Sequence, residues 1–547
     1  FAFQDEAAAG HPGLWKHPMT APTSSRTTAP THRAPVRVQP RIQELEGSDF
    51  DPLLLLAALR KQDPGRCDAA LFETADQDPE RPHRTILVLR AWCRVVLRDG
   101  VLTVTALSPD AEPLVKDLTR AVDQAFADAE SPTPGLEADE RMVEPSVLDG
   151  LRLAATAVQD RRLGALLPPG LFGALSYELV DHFEQLPERR PDPLGDPDAS
   201  FVLAGDVLVR DHLTGRLQLV TRGLPWEAER DLDERHERNL ALVRGARVRP
   251  ESPGSDGSMI PGPARPDVDD ATFLRQVRDL RAAIGRGEVF QAVLSRGLAM
   301  ESRAEPLEVY RALRRRNPSP HMFFLELGPG AGCLLGASPE TFLRHEEGEL
   351  EVRPIAGTAP RGRTADGRID HDLDARLALA MQLDPKELAE HAMLLDLARN
   401  DLARVCEPGS VRLVEQLAVE RYSHVQHLVS RLRGRLRSSL DALHAYRATA
   451  NMGTLTGAPK ARAMELVREA EPEGRGFYGG AAGYLLADGR LQTCIVIRSL
   501  RYRDGIYRTR AGAGVVWDSV PERELQETEH KSLAVRHAIA EAEEVSR

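Results

Sequence analysis

The sequence predicts an α+β fold in which antiparallel β-sheets pack against helices. Residues 85–107 and 200–222 each contain strand-like runs of apolar residues interrupted by a turn, at Asp99 and at Thr214 respectively. In the second half of the chain, helical patterns alternate with short strand-like runs up to the end. No internal repeat of fixed period accompanies them, so a solenoid or propeller is not indicated.

Composition excludes several classes of protein. The 547 residues are 42% hydrophobic and 28% charged, with a net charge of −12 that argues against nucleic-acid binding. The longest apolar run, residues 53–59, is too short to cross a membrane. The five cysteines form no CxxC pair or Cys/His cluster, so neither a zinc site nor a disulfide framework is indicated, and a cytoplasmic location is expected.

Composition shifts along the chain predict its domain organisation. Residues 1–40 are interpreted as a disordered arm, in which the stretch ahead of Met19 is added sequence. Residues 41–248 are expected to form an N-terminal α+β domain, and the Pro-, Gly- and Ser-rich residues 249–268 a linker. Residues 269–547 form the predicted catalytic domain.

The predicted catalytic domain opens with a helix. Asp269 or Asp270 can cap it, and an apolar stripe follows at helical spacing, made of Phe273, Val277, Leu280 and Ile284.

Two later helices carry paired carboxylates. Glu387, Glu390 and His391 lie at i, i+3 and i+4 and therefore share one helix face. Near the C-terminus, Pro521 suits a first helical turn, and a second acidic face follows it, formed by Glu524, Glu527 and Lys531.

A single Glu-x-x-Glu pair is usually a solvated stripe. Two such pairs that converge on one pocket would repel each other unless a proton or a divalent cation lay between them. Mg²⁺ is suited to this role because it uses one or two carboxylates together with water and substrate oxygens. The remaining carboxylates would be available for acid–base chemistry.

Six ordered segments make the chain recognisable as similar to a known family. It resembles the chorismate-utilising enzymes, most closely the large subunit (component I) of anthranilate synthase, densely over about residues 270–540. The segments are PIAGTAPRGR (354–363), KELAEHAMLLDLARNDLARVC (386–406), NMGTLTGAPKARAMEL (451–466), RGFYGGAAGYL (475–485), TCIVIRS (493–499) and AGAGVVWDSVPE (511–522).

The resemblance implies the fold of that family and assigns roles to the acidic helices. Glu390 and Glu527 would bind Mg²⁺, with Glu387 and Glu524 beside them as second carboxylates. His427 would assist the step that expels pyruvate. The positions that would contact chorismate are Gly357, Thr358, Thr454, Tyr478, Arg498, Gly512, Ala513, Gly514 and the catalytic Lys531. An arginine fork and glycine N–H groups suit a carboxylate of the substrate.

Two positions discriminate between members of the family. The relatives that add water place a lysine where this chain has Gln291, because water needs a base and ammonia does not. The aminodeoxychorismate synthases place a nucleophilic lysine where this chain has Ala356. Direct addition of ammonia is therefore expected, with Glu387 as a possible acid for the departing C4 hydroxyl.

The resemblance implies anthranilate as the product and a separate glutamine amidotransferase subunit as the ammonia source, hence a hetero-oligomer. Two alternatives stay open. The first is a 2-amino-2-deoxyisochorismate synthase that stops before pyruvate leaves. The second is a non-enzymatic tryptophan-sensing relative, which the presence of all four carboxylates disfavours.

An effector site for tryptophan would match Thr74, Pro320, His321 and Met322. Here Phe72 and Thr74 stand where tryptophan-producing relatives have leucine and serine. The added bulk predicts weak inhibition by tryptophan, as would suit secondary metabolism.

Overall fold

The computed structural model describes residues 34–545, except 46–49, 75–82, 128–143, 162–163, 247–261, 365 and 423–424. The helices are α1 (Pro52–Gln62), α2 (Glu112–Ala127), α3 (Val147–Thr156), α4 (Glu229–Gly245), α5 (Asp270–Gly285), α6 (Pro306–Arg316), α7 (His371–Leu383), α8 (Pro385–Ala403), α9 (Ala442–Thr449), α10 (Gly453–Thr456), α11 (Lys460–Ala470) and α12 (Pro521–Val545).

The strands outnumber the helices, and nearly all of them are antiparallel. They are β1 (Val36–Leu45), β2 (Ala70–Glu73), β3 (Arg84–Arg98), β4 (Val101–Ala106), β5 (Val158–Asp160), β6 (Gly170–Leu175), β7 (Ala199–Asp211), β8 (Leu217–Gly223), β9 (Arg265–Pro266), β10 (Gln291–Glu301), β11 (His321–Glu326), β12 (Cys333–Ser338), β13 (Thr341–Glu346), β14 (Glu349–Val352), β15 (Ile355–Pro360), β16 (Arg412–Arg421), β17 (Val425–Arg435), β18 (Gly457–Ala458), β19 (Ala481–Leu486), β20 (Leu491–Ile495), β21 (Ser499–Arg503) and β22 (Ile506–Val515).

Two branches of sheet extend from the long β3–β7 pair. One branch runs β7–β6–β19–β20–β13–β14–β17. The other runs β3–β2–β11–β12–β21–β22–β10. Phe172 and Cys494 from the first branch share one buried apolar cluster with Phe323 and Leu334 from the second. The branches therefore face each other across a common core, and the predicted α+β class is confirmed.

Most of the local predictions hold. The turn between β3 and β4 lies at Asp99, which has a positive φ of 50°, and Thr214 lies between β7 and β8. Asp269 is the N-cap of α5, and its side chain accepts a hydrogen bond of 2.7 Å from the Thr272 backbone N–H. Pro521 opens α12. In each case a local rule, a turn residue or a cap, was enough.

The predicted arm was too long. Residues 36–40 belong to β1, which pairs with β8 and therefore lies in the sheet. The strand begins at Val36 because the alternating run that starts there continues to Leu45. Residues 1–33 and most of the predicted linker, 249–261, lie outside the described residues.

The predicted N-terminal and catalytic domains share backbone pairing. β6 pairs with β19, and β2 pairs with β11, so residues from both sides of the predicted linker build the same sheet branches. The division of the chain into an N-terminal domain, a linker and a catalytic domain stays a prediction. No helix in the described part of the chain is long and apolar enough to span a membrane.

A buried ion pair fastens the two halves together. Arg501 on β21 donates hydrogen bonds of 2.9 and 2.7 Å to Asp196, and the two side chains are 8% and 4% exposed. Removing one partner leaves the other charge buried, so we expect Asp196→Ala to destabilise the fold by roughly 3–5 kcal/mol. The double variant Asp196→Ala/Arg501→Met should recover much of this loss, as measured by the midpoint of urea denaturation.

The control is Asp233→Ala, which removes the partner of Arg41 at a more exposed pair with an Nε–Oδ1 distance of 2.6 Å. This change should cost less than about 1 kcal/mol. Equal midpoints for the Asp196→Ala and Asp233→Ala variants would contradict the prediction.

Candidate active site

The first acidic helix, α8, is oriented by its cap and its buried face. Asp384 caps it by accepting a hydrogen bond of 2.8 Å from the Lys386 backbone N–H. His391 is buried, and its ring lies 2.6 Å (Nε2–Oγ) from Ser430 on β17. This contact fixes the helix against the sheet and leaves Glu387 and Glu390 half-buried at its edge.

Gln291 contacts the predicted metal ligand on this helix. Its side-chain amide donates a hydrogen bond of 2.9 Å to Glu390 Oε1, while its own Oε1 is buried and accepts no hydrogen bond from the described residues. The close approach depends on Gly514 of β22, because a Cβ there would lie 2.6 Å from Gln291 Nε2.

The second acidic helix, α12, brings its polar face to the same strand. The Lys531 ammonium lies 2.5 Å from Glu527 Oε1 and donates a hydrogen bond of 2.9 Å to the carbonyl oxygen of Gly512. Glu524, one turn earlier, is buried. The structure thus brings together the lysine and both carboxylates that the sequence placed on one face.

The carboxylates of α8 and α12 act on one another electrostatically. Burial raises the pKa of Glu387, and the charges of Glu390 and Glu527 raise it further. Burial also raises the pKa of Glu524, and the charge of Glu527 adds to this effect although a neighbouring hydroxyl opposes it. Protons or cations are therefore favoured here.

The acidic cluster is not a complete protein-built metal site. Within the described residues, no three His, Cys, Asp or Glu side chains converge on one metal position. Glu390 and Glu527 offer two carboxylates, a donor set that suits Mg²⁺ when water and substrate oxygens complete its coordination.

His427 and Thr358 lie opposite each other on β17 and β15. Thr358 Oγ1 is 2.9 Å from His427 Nδ1. Burial, together with the charge of Arg498, lowers the pKa of His427 to about 4, so its imidazole is neutral near pH 7. Gly357, which precedes Thr358, has a φ of 76° that a side chain would disfavour.

Arg498 supplies a positive charge that none of the described residues neutralises by direct contact. Its guanidinium makes no hydrogen bond or ion pair with any residue that the structure describes. Its backbone has a φ of 50°, a conformation uncommon for residues other than glycine and one that clusters at functional sites. Such an arginine is suited to binding a carboxylate of a ligand.

Tyr478 lies beside β22, where a Cβ at Gly512 would come within 2.9 Å of its hydroxyl oxygen. Ala513 lies between the two glycines of this strand, and its methyl group is fully buried. Because side chains alternate along a strand, Ala513 can present only its backbone on the face shared by positions 512 and 514.

Glu340 was missed by the sequence analysis. It is 4% exposed and accepts a hydrogen bond of 3.0 Å from the hydroxyl of Thr454, one of the residues expected to contact substrate. Burial raises the pKa of Glu340 to about 8, and the charge of Lys531 opposes this. Glu340 follows Pro339 and has no second carboxylate at helical or metal-ligand spacing, so the sequence did not indicate a functional role for it.

The residues expected to bind tryptophan line a separate cavity. Thr74, His321 and Met322 share it with Phe72 and Tyr484. Phe72 packs against Tyr484 with their ring centroids 6.2 Å apart, so the larger side chain lies in the cavity wall. The fourth predicted effector residue, Pro320, precedes His321 in the sequence and is buried, but it does not line the cavity.

Residues 118–537 match the family described as chorismate binding enzyme. This chain belongs to that family.

Within the family, its relatives include anthranilate synthase component 1 of Escherichia coli, 43% identical over 86% of this chain and 92% of the relative. The pyocyanine-specific anthranilate synthase component 1 of Pseudomonas aeruginosa is 44% identical over 86% of this chain and 90% of the relative.

Solved structures of chorismate-utilising enzymes have a similar fold. Anthranilate synthase component I from Streptococcus pneumoniae has a TM-score of 0.67 and 28% identity, covering 90% of this chain and 100% of that one. The menaquinone-specific isochorismate synthase from Escherichia coli shares the fold. It has a TM-score of 0.62 and 18% identity, and the match covers 93% of this chain and 96% of that one.

Proposed function

We propose that this chain is the component of anthranilate synthase that aminates chorismate with ammonia and eliminates pyruvate to give anthranilate. The observation that carries the proposal is the neutral amide of Gln291, buried against Glu390 at the position where water-adding relatives have a lysine. The names of the chain's relatives support the same reaction.

Chorismate is a dianion, and the site offers complementary groups. Arg498 and the backbone N–H groups near Gly512 and Gly514 suit one carboxylate. Glu390 and Glu527 would hold Mg²⁺ against the other, and the ion would offset the negative charge that the acidic helices and the substrate share. Lys531, bonded to Glu527 and to Gly512, positions the acidic helix against the strand.

In the first stage, the lone pair of ammonia forms a bond to C2 of the ring while the C4 hydroxyl leaves. Ammonia needs no base to make it nucleophilic, and Ala356 provides no side-chain nucleophile. The buried acceptor oxygen of Gln291 is available to an N–H of ammonia.

The departing hydroxyl needs a proton. We assign this role to Glu340, because burial raises its pKa to about 8 and so keeps it protonated near neutral pH. Glu387, the acid expected from the sequence, also has a raised pKa but is more accessible to water. Glu387 then acts as an auxiliary carboxyl of the cluster.

In the second stage, the C2 proton is removed, the bond between C3 and the enolpyruvyl oxygen breaks, and the ring becomes aromatic. The released enolate takes up a proton on its methylene carbon and becomes pyruvate. The neutral imidazole of His427 can accept the C2 proton. Its pKa of about 4 applies without substrate, and the carboxylates of bound chorismate would raise the pKa because they stabilise imidazolium. Thr358 orients the ring through its contact with Nδ1.

Ammonia is supplied by a separate glutamine-hydrolysing subunit, so the working enzyme is a hetero-oligomer. Its location is the cytoplasm. A 2-amino-2-deoxyisochorismate synthase is the second candidate. It would use the same first stage, and the same carboxylates, and stop before His427 acts.

Incubation with chorismate, ammonium chloride and Mg²⁺ tests the proposal. We expect fluorescent anthranilate and an equal amount of pyruvate, because both stages have their groups in place. An unaromatised amino acid formed without pyruvate would instead identify the second candidate. If chorismate were not consumed at all, both candidate functions would be refuted.

Glu340→Gln should lower kcat by about 10²–10⁴-fold, since the amide keeps an acceptor for Thr454 but cannot protonate the hydroxyl. In the unaltered enzyme, the rate of the first stage should fall as the pH rises through about 8, because Glu340 then loses its proton.

Glu351→Gln is the matched control. Glu351 is also a buried carboxylate, but it pairs with Arg433, at 2.7 Å, and does not lie among the predicted site residues. Equal turnover by the two variants would remove Glu340 from the mechanism.

Tryptophan should inhibit this enzyme only weakly, because Phe72, which lines the cavity with Thr74 and Met322, is bulkier than the leucine of tryptophan-producing relatives. Phe72→Leu should lower the inhibitory concentration by enlarging that cavity. The measurement is a tryptophan titration of anthranilate formation, and sub-millimolar inhibition before any substitution would refute the prediction.

A further inference from the structure

Three side chains form a row across the sheet at the histidine of the site. Thr358 on β15 and Glu420 on β16 each lie directly opposite His427 of β17, one on either side of it. Residues opposite each other in an antiparallel pair point to the same face, with Cβ atoms about 4.5–5.5 Å apart. His427 therefore has a hydroxyl on one side and a carboxylate on the other, and we call these three residues the histidine row.

Glu420 is held in this row by both of its oxygen atoms. The guanidinium of Arg353, a side chain that is 2% exposed, donates to Oε1. The hydroxyl of Tyr422 donates a hydrogen bond of 2.5 Å to Oε2. Two anchored oxygens restrict the movement of this carboxylate.

Tyr422 connects the carboxylate to the histidine. Its ring centroid lies 5.6 Å from that of His427, and the two ring planes are inclined at 57°. A tilted pair at this distance is an ordinary aromatic packing contact. Because the hydroxyl of the same side chain is bonded to Glu420, the position of Glu420 determines the position of the ring that supports His427.

The charges that act on His427 oppose one another. Burial and the charge of Arg498 lower the pKa of His427, and the charge of Lys531 lowers it further. The backbone of Gly357 and the carboxylate of Glu420 raise it. Glu420 is thus the carboxylate that favours the protonated ring most.

The second stage creates a positive charge on this ring. When the imidazole accepts the C2 proton, the electron pair of the C2–H bond forms the C2–C3 double bond, and the bond from C3 to the enolpyruvyl oxygen breaks. The resulting imidazolium is repelled by Arg498. A carboxylate close to the ring offsets this repulsion, because an opposite charge within about 4–6 Å favours the charged form.

We propose that Glu420 is a positioning residue for the second stage: it fixes the ring of His427 through Tyr422 and stabilises the imidazolium that forms when the C2 proton is removed. The inference rests on the proposed function. The first stage uses the lone pair of ammonia and the proton of Glu340, not His427. Amination of chorismate therefore does not depend on Glu420, whereas release of anthranilate does.

The test measures the two stages separately in Glu420→Gln, which keeps an acceptor for Tyr422 and removes the charge. Chorismate consumption with ammonium and Mg²⁺ should stay within about twofold, while anthranilate formation from supplied 2-amino-2-deoxyisochorismate should fall about tenfold, the effect of about one pKa unit at the base. The intermediate should then accumulate in reactions that start from chorismate. Equal losses in both stages, or no loss in the second, would refute the inference.

The pH profile of the second stage separates this role from a purely structural one. Since Glu420 raises the pKa of His427, the variant should hold the imidazole proton more weakly. The acid limb, where His427 is protonated and cannot act as a base, should move to lower pH by about one unit. Glu420→Asp keeps the charge, so it should restore the profile and part of the rate. An acid limb that does not move in Glu420→Gln would contradict the proposed role.

Glu415→Gln is the matched control. Glu415 lies on the same strand and 3.8 Å from the same Arg353, but it lies opposite Arg431, with which it pairs at 3.0 Å. This variant should leave both stages and the pH profile unchanged. If it accumulated as much intermediate as Glu420→Gln, the effect would not be specific to the histidine row and the inference would fail.

Tyr422→Phe tests the row with the ion pair of Glu420 intact. Only the bonded hydroxyl is lost, so the intermediate should accumulate to a smaller extent while the urea midpoint stays close to that of the unaltered protein. If Glu420→Gln does not fold, this variant decides, and anthranilate formation without any accumulation would refute the inference. If the unaltered enzyme itself releases the intermediate without pyruvate, the proposed function fails and the inference fails with it.

Discussion

The mutual repulsion of four carboxylates is the constraint around which the catalytic half of the chain is arranged. Glu387 and Glu390 on one helix face Glu524 and Glu527 on another. Burial raises the pKa of Glu387 and of Glu524, and the charges of neighbouring carboxylates raise both further. Such a cluster is stable only because neighbouring groups share its charge. A cluster of carboxylates favours a cation and a substrate that brings oxygen ligands with it.

The sheet supplies the rigid frame that keeps the two helices facing each other. β10 and β22 pair along their length and carry Gln291 and the glycines, and the amide of Gln291 and the ammonium of Lys531 tie these strands to α8 and α12. The paired strands β15 and β17 hold Thr358 against His427. Regular elements with buried faces position the reacting groups more exactly than loops would.

The two acidic helix faces could be predicted from local rules, whereas the roles of other site residues, such as His427 and Arg498, were implied by the family resemblance. The spacing of Glu387 and Glu390 requires only helical periodicity, and Asp384 and Pro521 mark where the two helices begin. The long strands of the N-terminal half were predictable from their apolar runs and from turn residues at Asp99 and Thr214.

The features that the sequence did not reveal all depend on contacts between distant segments. The raised pKa of Glu340 arises from burial under elements far away in the chain. The positive φ of Arg498 and the contact of Gln291 with Glu390 have no local pattern either. The predicted domain organisation underestimated the pairing of β6 with β19 and of β2 with β11, because strand partners across a long separation are not encoded by periodicity.

The central claim is that the acidic cluster accepts substrate and cation together. Titration calorimetry of chorismate, with Mg²⁺ or with EDTA, tests it most directly. We expect chorismate to bind at least about tenfold more tightly with Mg²⁺, and Mg²⁺ to gain the same factor from chorismate, since binding linkage is reciprocal. In Glu527→Gln this coupling should shrink. Equal chorismate affinity in Mg²⁺ and in EDTA would contradict the account.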